Sequence, residues 1–190
     1  MRMLLIGAPG SGKGTQSARL AARFKITHIS SGDLLRRHIS GGTSTGRTAK
    51  AYVDRGDLVP DGLVMDMLRK PVVAANASGG YILDGFPRSV EQAKRAYETA
   101  RELGTSVQIA TYLDVPTQEL VRRLLARGRG NEDTEDVIAH RLAVFHQHTL
   151  PMMDYYSERE DVVVIDGDQP ADQVTAALFA ALEDWQQRSA

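Results

Sequence analysis

Cysteine is absent from the 190 residues. That excludes a disulfide framework and a thiolate zinc site, and it suits a reducing compartment, so a cytoplasmic protein is expected. Long apolar runs are missing too. No stretch approaches the roughly 18 residues that a membrane span needs, and the first apolar run stops at Gly7, too early for a signal peptide. Nor does charge of one sign prevail: 23 Lys plus Arg face 24 Asp plus Glu, a net charge of −1, which argues against a general nucleic-acid binder. Lysine itself is scarce. Among those 23 cations only Lys13, Lys25, Lys50, Lys70 and Lys94 are lysines. Arginine suits bidentate phosphate clamping, but a GC-rich genome that writes Arg for Lys explains the excess equally well, so position has to decide.

What the chain does have is Gly7-Ala8-Pro9-Gly10-Ser11-Gly12-Lys13-Gly14-Thr15, between the apolar run Met3–Ile6 and an amphipathic helical pattern from Gln16 to Phe24. Strand, glycine-rich loop and helix follow in that order. Glycines let the backbone approach an anion closely, so that N–H groups converge on it at the positive end of the helix dipole. Lys13 adds a mobile charge for the terminal phosphates of a nucleotide, and the spacing Gly7-x4-Gly12-Lys13 meets most of the P-loop pattern. Gly14 departs from it, because a Ser or Thr usually follows the lysine; the nearest hydroxyl is Thr15. A Mg²⁺ held by phosphates, water and an acid elsewhere is therefore expected.

Five short apolar segments read as buried strands: Met3–Ile6, Thr27–Ile29, Tyr81–Leu83, Val107–Leu113 and Val162–Ile165. Helical patterns cover 13–24, 32–55 with a break near Gly41-Gly42, 61–77, 89–103, 117–127, 135–157 and 170–187. This alternation predicts an α/β fold, a doubly wound parallel five-stranded sheet with helices on both faces. At 190 residues it forms a single domain. Ligands then bind beyond the carboxyl ends of the strands, where Gly7–Thr15, Ser30–Asp33, Asp84–Arg88 and Asp166–Asp168 lie.

Two of these loops carry a second reading each. Ser30-Ser31-Gly32-Asp33 before Leu34-Leu35 is either a helix cap or a hydroxyl at Ser31 and a guanidinium at Arg36 aimed at the mouth of the sheet. Asp84-Gly85 is either a turn or an acid that positions Mg²⁺, the role favoured by its place at a strand's end on the same edge as the P-loop. Ser89 to Gln92 has capping-box spacing. Arg123 and Arg127 share a helix face at i, i+4. The polar stretch Gly128 to Asp133 is either a solvated loop or a lid that closes arginines over phosphates. His28, His38, His140, His146 and His148 have no nucleophile or metal spacing, and none is expected to act as a catalytic base.

Taken together, the P-loop, Ser31-Gly32-Asp33-Leu34-Leu35-Arg36, Asp84-Gly85-Phe86-Pro87-Arg88 with Gln92, and Arg123/Arg127/Arg129/Arg141 closely resemble the adenylate kinase family from end to end. The glycine after the P-loop lysine is usual in that family. The resemblance implies one P-loop NTPase-type kinase domain over 1–190, with a core of 1–29, 60–125 and 134–190, a monophosphate-binding insert at 30–59 and a lid at 126–133. It implies ATP contacts at Gly10, Ser11, Gly12, Lys13, Gly14, Thr15, Arg127 and Gly167. AMP contacts fall on Ser31, Arg36, Asp57, Leu58, Val59, Gly85, Phe86, Pro87, Arg88, Gln92, Arg129 and Arg141. Lys13, Arg88, Arg123, Arg129 and Arg141 form the catalytic set, Asp84 holds Mg²⁺ through water, and Phe86-Pro87 is a cis peptide.

The implied activity is reversible, Mg²⁺-dependent transfer of a phosphoryl group from ATP to AMP, giving two ADP, by a monomer with no membrane or nucleic-acid partner. The lid is the short kind, so no zinc is expected. Between Arg129 and Arg141 it has one residue more than the usual short-lid pattern. A UMP/CMP-preferring kinase is the nearest rival, weighed against by Ser31 and by the amide of Gln92. A non-catalytic nucleotide-sensing module and a P-loop kinase for a small metabolite are further alternatives; the first leaves the retained Lys13 and arginines unexplained, the second Asp84–Arg88 and Gln92.

Overall fold

The computed structural model describes residues 1–189. In it the chain runs β1 (Arg2–Gly7), α1 (Lys13–Phe24), β2 (Thr27–Ser30), α2 (Ser31–Ser40), α3 (Ser44–Arg55), α4 (Asp61–Ala77), β3 (Tyr81–Asp84), α5 (Val90–Glu102), β4 (Ile109–Asp114) and α6 (Thr117–Arg127). A 3-10 turn (Gly130–Asp133), α7 (Glu135–Val144), a π turn (Phe145–Thr149), α8 (Met152–Ser157), β5 (Asp161–Asp166) and α9 (Ala171–Arg188) complete it. The five strands form one parallel sheet in the order β2-β3-β1-β4-β5. Alternation along β1 divides the core: Leu4 and Ile6 face the layer of α2–α5 and α8, while Met3 and Leu5 face that of α1 and α9. Both faces of the central strands are covered, which is why β1 and β3 read as apolar runs, whereas the edge strand β2 mixes Thr27, His28 and Ser30 with Ile29 and β5 leaves Val164 exposed.

The predicted strands and the first four helical patterns agree with these elements to within a few residues. Residues 135–157 do not form one helix. Pro151 has no N–H to donate and its ring crowds the preceding turn. The chain accommodates it by widening into the π turn, in which Leu150 N–H donates to Phe145 O, 2.9 Å away, before α8 begins at Met152. Pro71, by contrast, sits inside α4 without ending it.

The pair α2–α3 crosses closely because Gly46 brings no side chain to the contact. A Cβ there would lie 2.0 Å from His38 O. The substitution Gly46→Ala therefore forces the helices apart at a cost of about 3 kcal/mol, and thermal melting is expected to show Tm lowered by about 6–12 °C.

Candidate active site

The chain leaves β1 to one side for β2 and later crosses to the other side for β4, so the carboxyl ends of β1 and its neighbours open into a crevice. Register aligns the relevant residues: Ser30 pairs with Asp84, and Leu5 with Asp84 on the other side. Gly7 turns the chain into the P-loop. Gly10 (φ 87) and Gly12 (φ 94) take left-handed conformations, and a Cβ on Gly10 would meet Leu124 Cγ at 2.9 Å and Leu120 O at 3.0 Å. Glycine at these two positions is demanded by the backbone. Gly14, already in α1, faces open space.

Above this loop lies a cleft of about 610 Å³. Gly10, Gly12, Lys13, Gly14 and Thr15 form its floor, and among the described residues six arginines, 36, 88, 123, 127, 129 and 141, line it against two carboxylates, Asp33 and Asp84. Two smaller cavities adjoin. One, of about 80 Å³, is lined by Leu58, Gly85, Phe86 and Pro87 on one side and the P-loop on the other. The second, of about 50 Å³, is lined by Asp57, Val59, Arg36 and Glu132. Arg88 and Arg141 border all three spaces. The Phe86-Pro87 peptide is cis.

Four sequence candidates stand off the cleft wall. Ser11 (3% exposed) and Ser31 (1% exposed) are buried, and neither Oγ finds a hydrogen-bond partner. Gly167 lies behind Arg123, whose Nη2 donates to its carbonyl at 3.1 Å. Gln92 is buried, and its amide is engaged at both ends: Oε1 accepts from Arg88 N at 2.8 Å, and Nε2 donates to Asp61 Oδ1 at 2.9 Å. It offers no free edge to a base in this conformation. The expected capping box is thus half formed, since Ser89 Oγ accepts from Gln92 N but the Gln92 side chain goes elsewhere. Ser30, not Ser31, caps α2.

Among the described residues, each arginine of the cleft except Arg88 and Arg129 is paired with a carboxylate. Arg36 pairs with Asp33 at 2.5 Å and with Glu132 of the 3-10 turn at 3.7 Å. Arg123 pairs with Glu119 at 2.7 Å. Asp133, whose side chain is 0% exposed, accepts from Arg127 Nε and Nη2 and from Arg129 N–H, with Arg141 Nη1 3.7 Å away. Burial alone would raise the Asp133 pKa, but the Arg127 and Arg129 donors outweigh it and hold the carboxyl below its ordinary value. The same balance operates at Asp33, where Arg36 prevails over burial. The cations answer in the opposite sense. Burial, with Arg88, Arg141 and Arg127 nearby, pulls Lys13 down to about 8 although Asp84 opposes it, and burial beside Arg88 and Arg127 pulls Arg141 down to about 10. Lys13 Nζ meanwhile donates to the carbonyls of Gly7 (2.8 Å) and Ala8 (2.9 Å) of its own loop. A ligand carrying several negative charges is what such a field favours.

A family model described as "Adenylate kinase" matches residues 5–161. The chain belongs to the adenylate kinase family. Among curated relatives, "Adenylate kinase 1" of Nostoc sp. is 44% identical over 95% of this chain and 98% of its own length. "Adenylate kinase" of Phocaeicola vulgatus is 42% identical, and that of Thermobifida fusca 40%, each over 96% of this chain and 98% of its own length.

The counter-charges of the cleft arginines, Glu119, Glu132 and Asp133, were not among the sequence candidates, nor was Asp61, which holds the Gln92 amide. Their only local signal was an acid three to six residues from an arginine, which any solvated helix or loop also shows. His28 lines the cleft with Nε2 3.7 Å from Asp84 Oδ2, and His140 donates to Asp57 Oδ1 at 2.8 Å. Among the described residues no group of three or more His, Cys, Asp or Glu is arranged to hold a metal ion, and no helix is long and apolar enough to cross a membrane.

Proposed function

We propose that this chain is an adenylate kinase that transfers the terminal phosphoryl group of ATP to AMP and runs the reverse reaction from two ADP. The observation that carries the reading is a P-loop and six arginines around one cleft, in a chain that aligns with adenylate kinases over nearly its whole length. The backbone of Gly10 to Thr15 with Lys13 would receive the ATP phosphates, with Arg127 and Gly167 toward the adenosine. Ser31, Arg36, Asp57–Val59, Gly85–Arg88 and Gln92 would surround AMP, Gln92 acting through the Arg88 backbone it holds. Ser31 Oγ, buried without a partner beside Gly85, supports this, because a phosphate oxygen would satisfy it. Arg88, Arg123, Arg129 and Arg141 would close on the transferring group.

The acceptor is a phosphate oxygen that is already anionic near neutral pH. No side chain has to remove a proton: one P–O bond to the ADP leaving group breaks as one to AMP forms. What the site must supply is alignment and positive charge on the transferred group, together with exclusion of the water that would hydrolyse ATP. Insert 30–59 and lid 126–133 would provide that exclusion, and the lid residue Glu132 already reaches Arg36 of the insert. Mg²⁺ fits the donor set: Asp84 and Thr15 both line the cleft, and a single carboxylate suits a cation that arrives on phosphates with its water. When bound, it would neutralise charge on the ATP phosphates. The cleft is complete within one chain, which supports a monomer, and the cysteine-free sequence suits the cytoplasm.

The deciding experiment measures ADP formation with MgATP and AMP, UMP, CMP or no acceptor. Strong preference for AMP with little hydrolysis of ATP alone is the expected result. Preference for UMP or CMP overturns the base assignment, and ATP binding without any transfer overturns the enzyme reading.

The Lys13 pKa adds a pH effect. ATP phosphates restore the charge that burial disfavours, so the ammonium pKa rises on binding and a proton is taken up wherever the free protein has released it. Titration calorimetry with MgATP in buffers of differing ionisation enthalpy is expected to show proton uptake that grows from pH 6.5 to pH 8.

A further inference from the structure

Arg88 is a cleft arginine positioned by neutral hydrogen bonds instead of by an ion pair. Its N–H donates to Gln92 Oε1 (2.8 Å), and its Nε donates to Gly85 O (2.7 Å). Asp61 of α4 fixes the Gln92 amide in turn. The remaining handle is the Arg88 carbonyl, which lies just outside α5 and has no helical N–H to meet it. Thr149 Oγ1 donates to it at 2.8 Å.

Thr149 is delivered there by the π turn. Phe145 and Thr149, four residues apart, are both buried (4% and 6% exposed) and both border the cavity shared with Lys13 and Arg88. Phe145 stacks on Tyr112 of β4, its ring centroid 6.5 Å away at 15°, and so anchors the turn to the sheet. We propose that Thr149 is a positioning residue, one that fixes the Arg88 peptide and thereby aims the guanidinium at the monophosphate. The π turn that Pro151 imposes is then the device that brings a helical hydroxyl onto a loop carbonyl. With the carbonyl, the N–H and Nε all committed inside the protein, only the terminal nitrogens of Arg88 face the ligand, in one orientation. Displacing such a group by about 1 Å costs on the order of 10²-fold in rate.

The inference rests on Arg88 being a phosphate ligand, and the test separates the two. Steady-state kinetics with AMP and with ATP varied in turn are compared for the natural protein, T149V, T149S, R88K and R88K/T149V, with thermal melts of each. T149V keeps the shape, removes the donor and leaves a buried carbonyl unpaired. It is expected to lower kcat/KM for AMP about 10-fold while KM for ATP stays within about 2-fold, and T149S is expected to restore most of the loss. In the R88K background T149V should cost less than about 2-fold more, because the directional guanidinium fork it aims is replaced by a flexible point charge.

If T149V costs the same in both backgrounds, depresses ATP and AMP alike, or is not rescued by T149S, Thr149 has no positioning role. If R88K itself leaves AMP kinetics unchanged, the reading of Arg88 falls first. Should T149V melt below the assay temperature, T149A is read in its place.

Discussion

Replacing Lys13 by methionine slows phosphoryl transfer about 10³-fold and makes the folded protein more stable. The first half follows from the field around the reacting phosphates: loss of one preorganised donor at the developing charge costs on the order of 10³-fold in kcat. The second half follows from what holding that ammonium in place costs. Burial and three neighbouring arginines pull Lys13 from 10.5 to about 8, so at neutral pH the folded state carries a proton it disfavours. Its two carbonyl acceptors and partial contact with solvent temper the cost, and a gain of about 1–2 kcal/mol on substitution is expected. The sign fixes the pH window. Between about pH 8 and 10.5 the unfolded chain binds more protons than the native one, so the natural protein gains stability there and the advantage of K13M disappears. Denaturant melts at pH 7 and pH 10 test this; a K13M protein less stable at pH 7 would show that the lysine supports the loop rather than straining it.

Substituting Asp133 by alanine has the opposite consequence for stability. This carboxylate is fully enclosed and gathers Arg127, the Arg129 N–H and, more distantly, Arg141. Removing one partner of such a cluster leaves cations without a counter-charge, at a cost of about 3 kcal/mol. Because Arg127 and Arg141 line the nucleotide cleft, ATP phosphates can take over the vacated role. D133A is therefore expected to lower the Tm of the nucleotide-free protein, to regain most of the loss with saturating ATP, and to lower kcat about 10²-fold because Arg127, Arg129 and Arg141 lose their alignment. The native Asp133 pKa lies below its ordinary 3.8. Its contribution is thus complete above about pH 5 and is lost as pH falls below 4, where the natural protein and D133A should converge. A Tm difference that persists unchanged at pH 3 would contradict this account.

Which parts of the site were legible in the sequence follows from how each is built. Gly7–Thr15 and Asp84–Arg88 are contiguous: a strand ends, and the next residues are the site, so apolar run, glycines and charge sit side by side in the chain. The arginines of α6 were legible through helical spacing. Asp61 with Gln92, Thr149 with Arg88 and Glu132 with Arg36 are pairings between segments 31, 61 and 96 residues apart, set by how helices pack on the sheet. Gln92 shows the limit best, since its residue type suits a base edge while its neighbours commit it to the protein. The break after Val144 was hidden for another reason: residues 135–157 keep their helical pattern throughout, and Pro151 alone signals that the hydrogen-bond ladder fails.

The carboxylates that pair with Arg36, Arg123, Arg127 and Arg141 give the cleft the character of an ion exchanger loaded with its own side chains. An incoming nucleotide trades protein acid for phosphate instead of discharging bare cations, so few dissolved counter-ions change place. Affinity for ATP should therefore weaken with salt less steeply than six arginines would suggest. A polyphosphate spanning Arg123, Arg127 and Arg141 would displace several of these carboxylates together, whereas a monophosphate at Arg88 would meet a guanidinium held by neutral hydrogen bonds and need far less exchange.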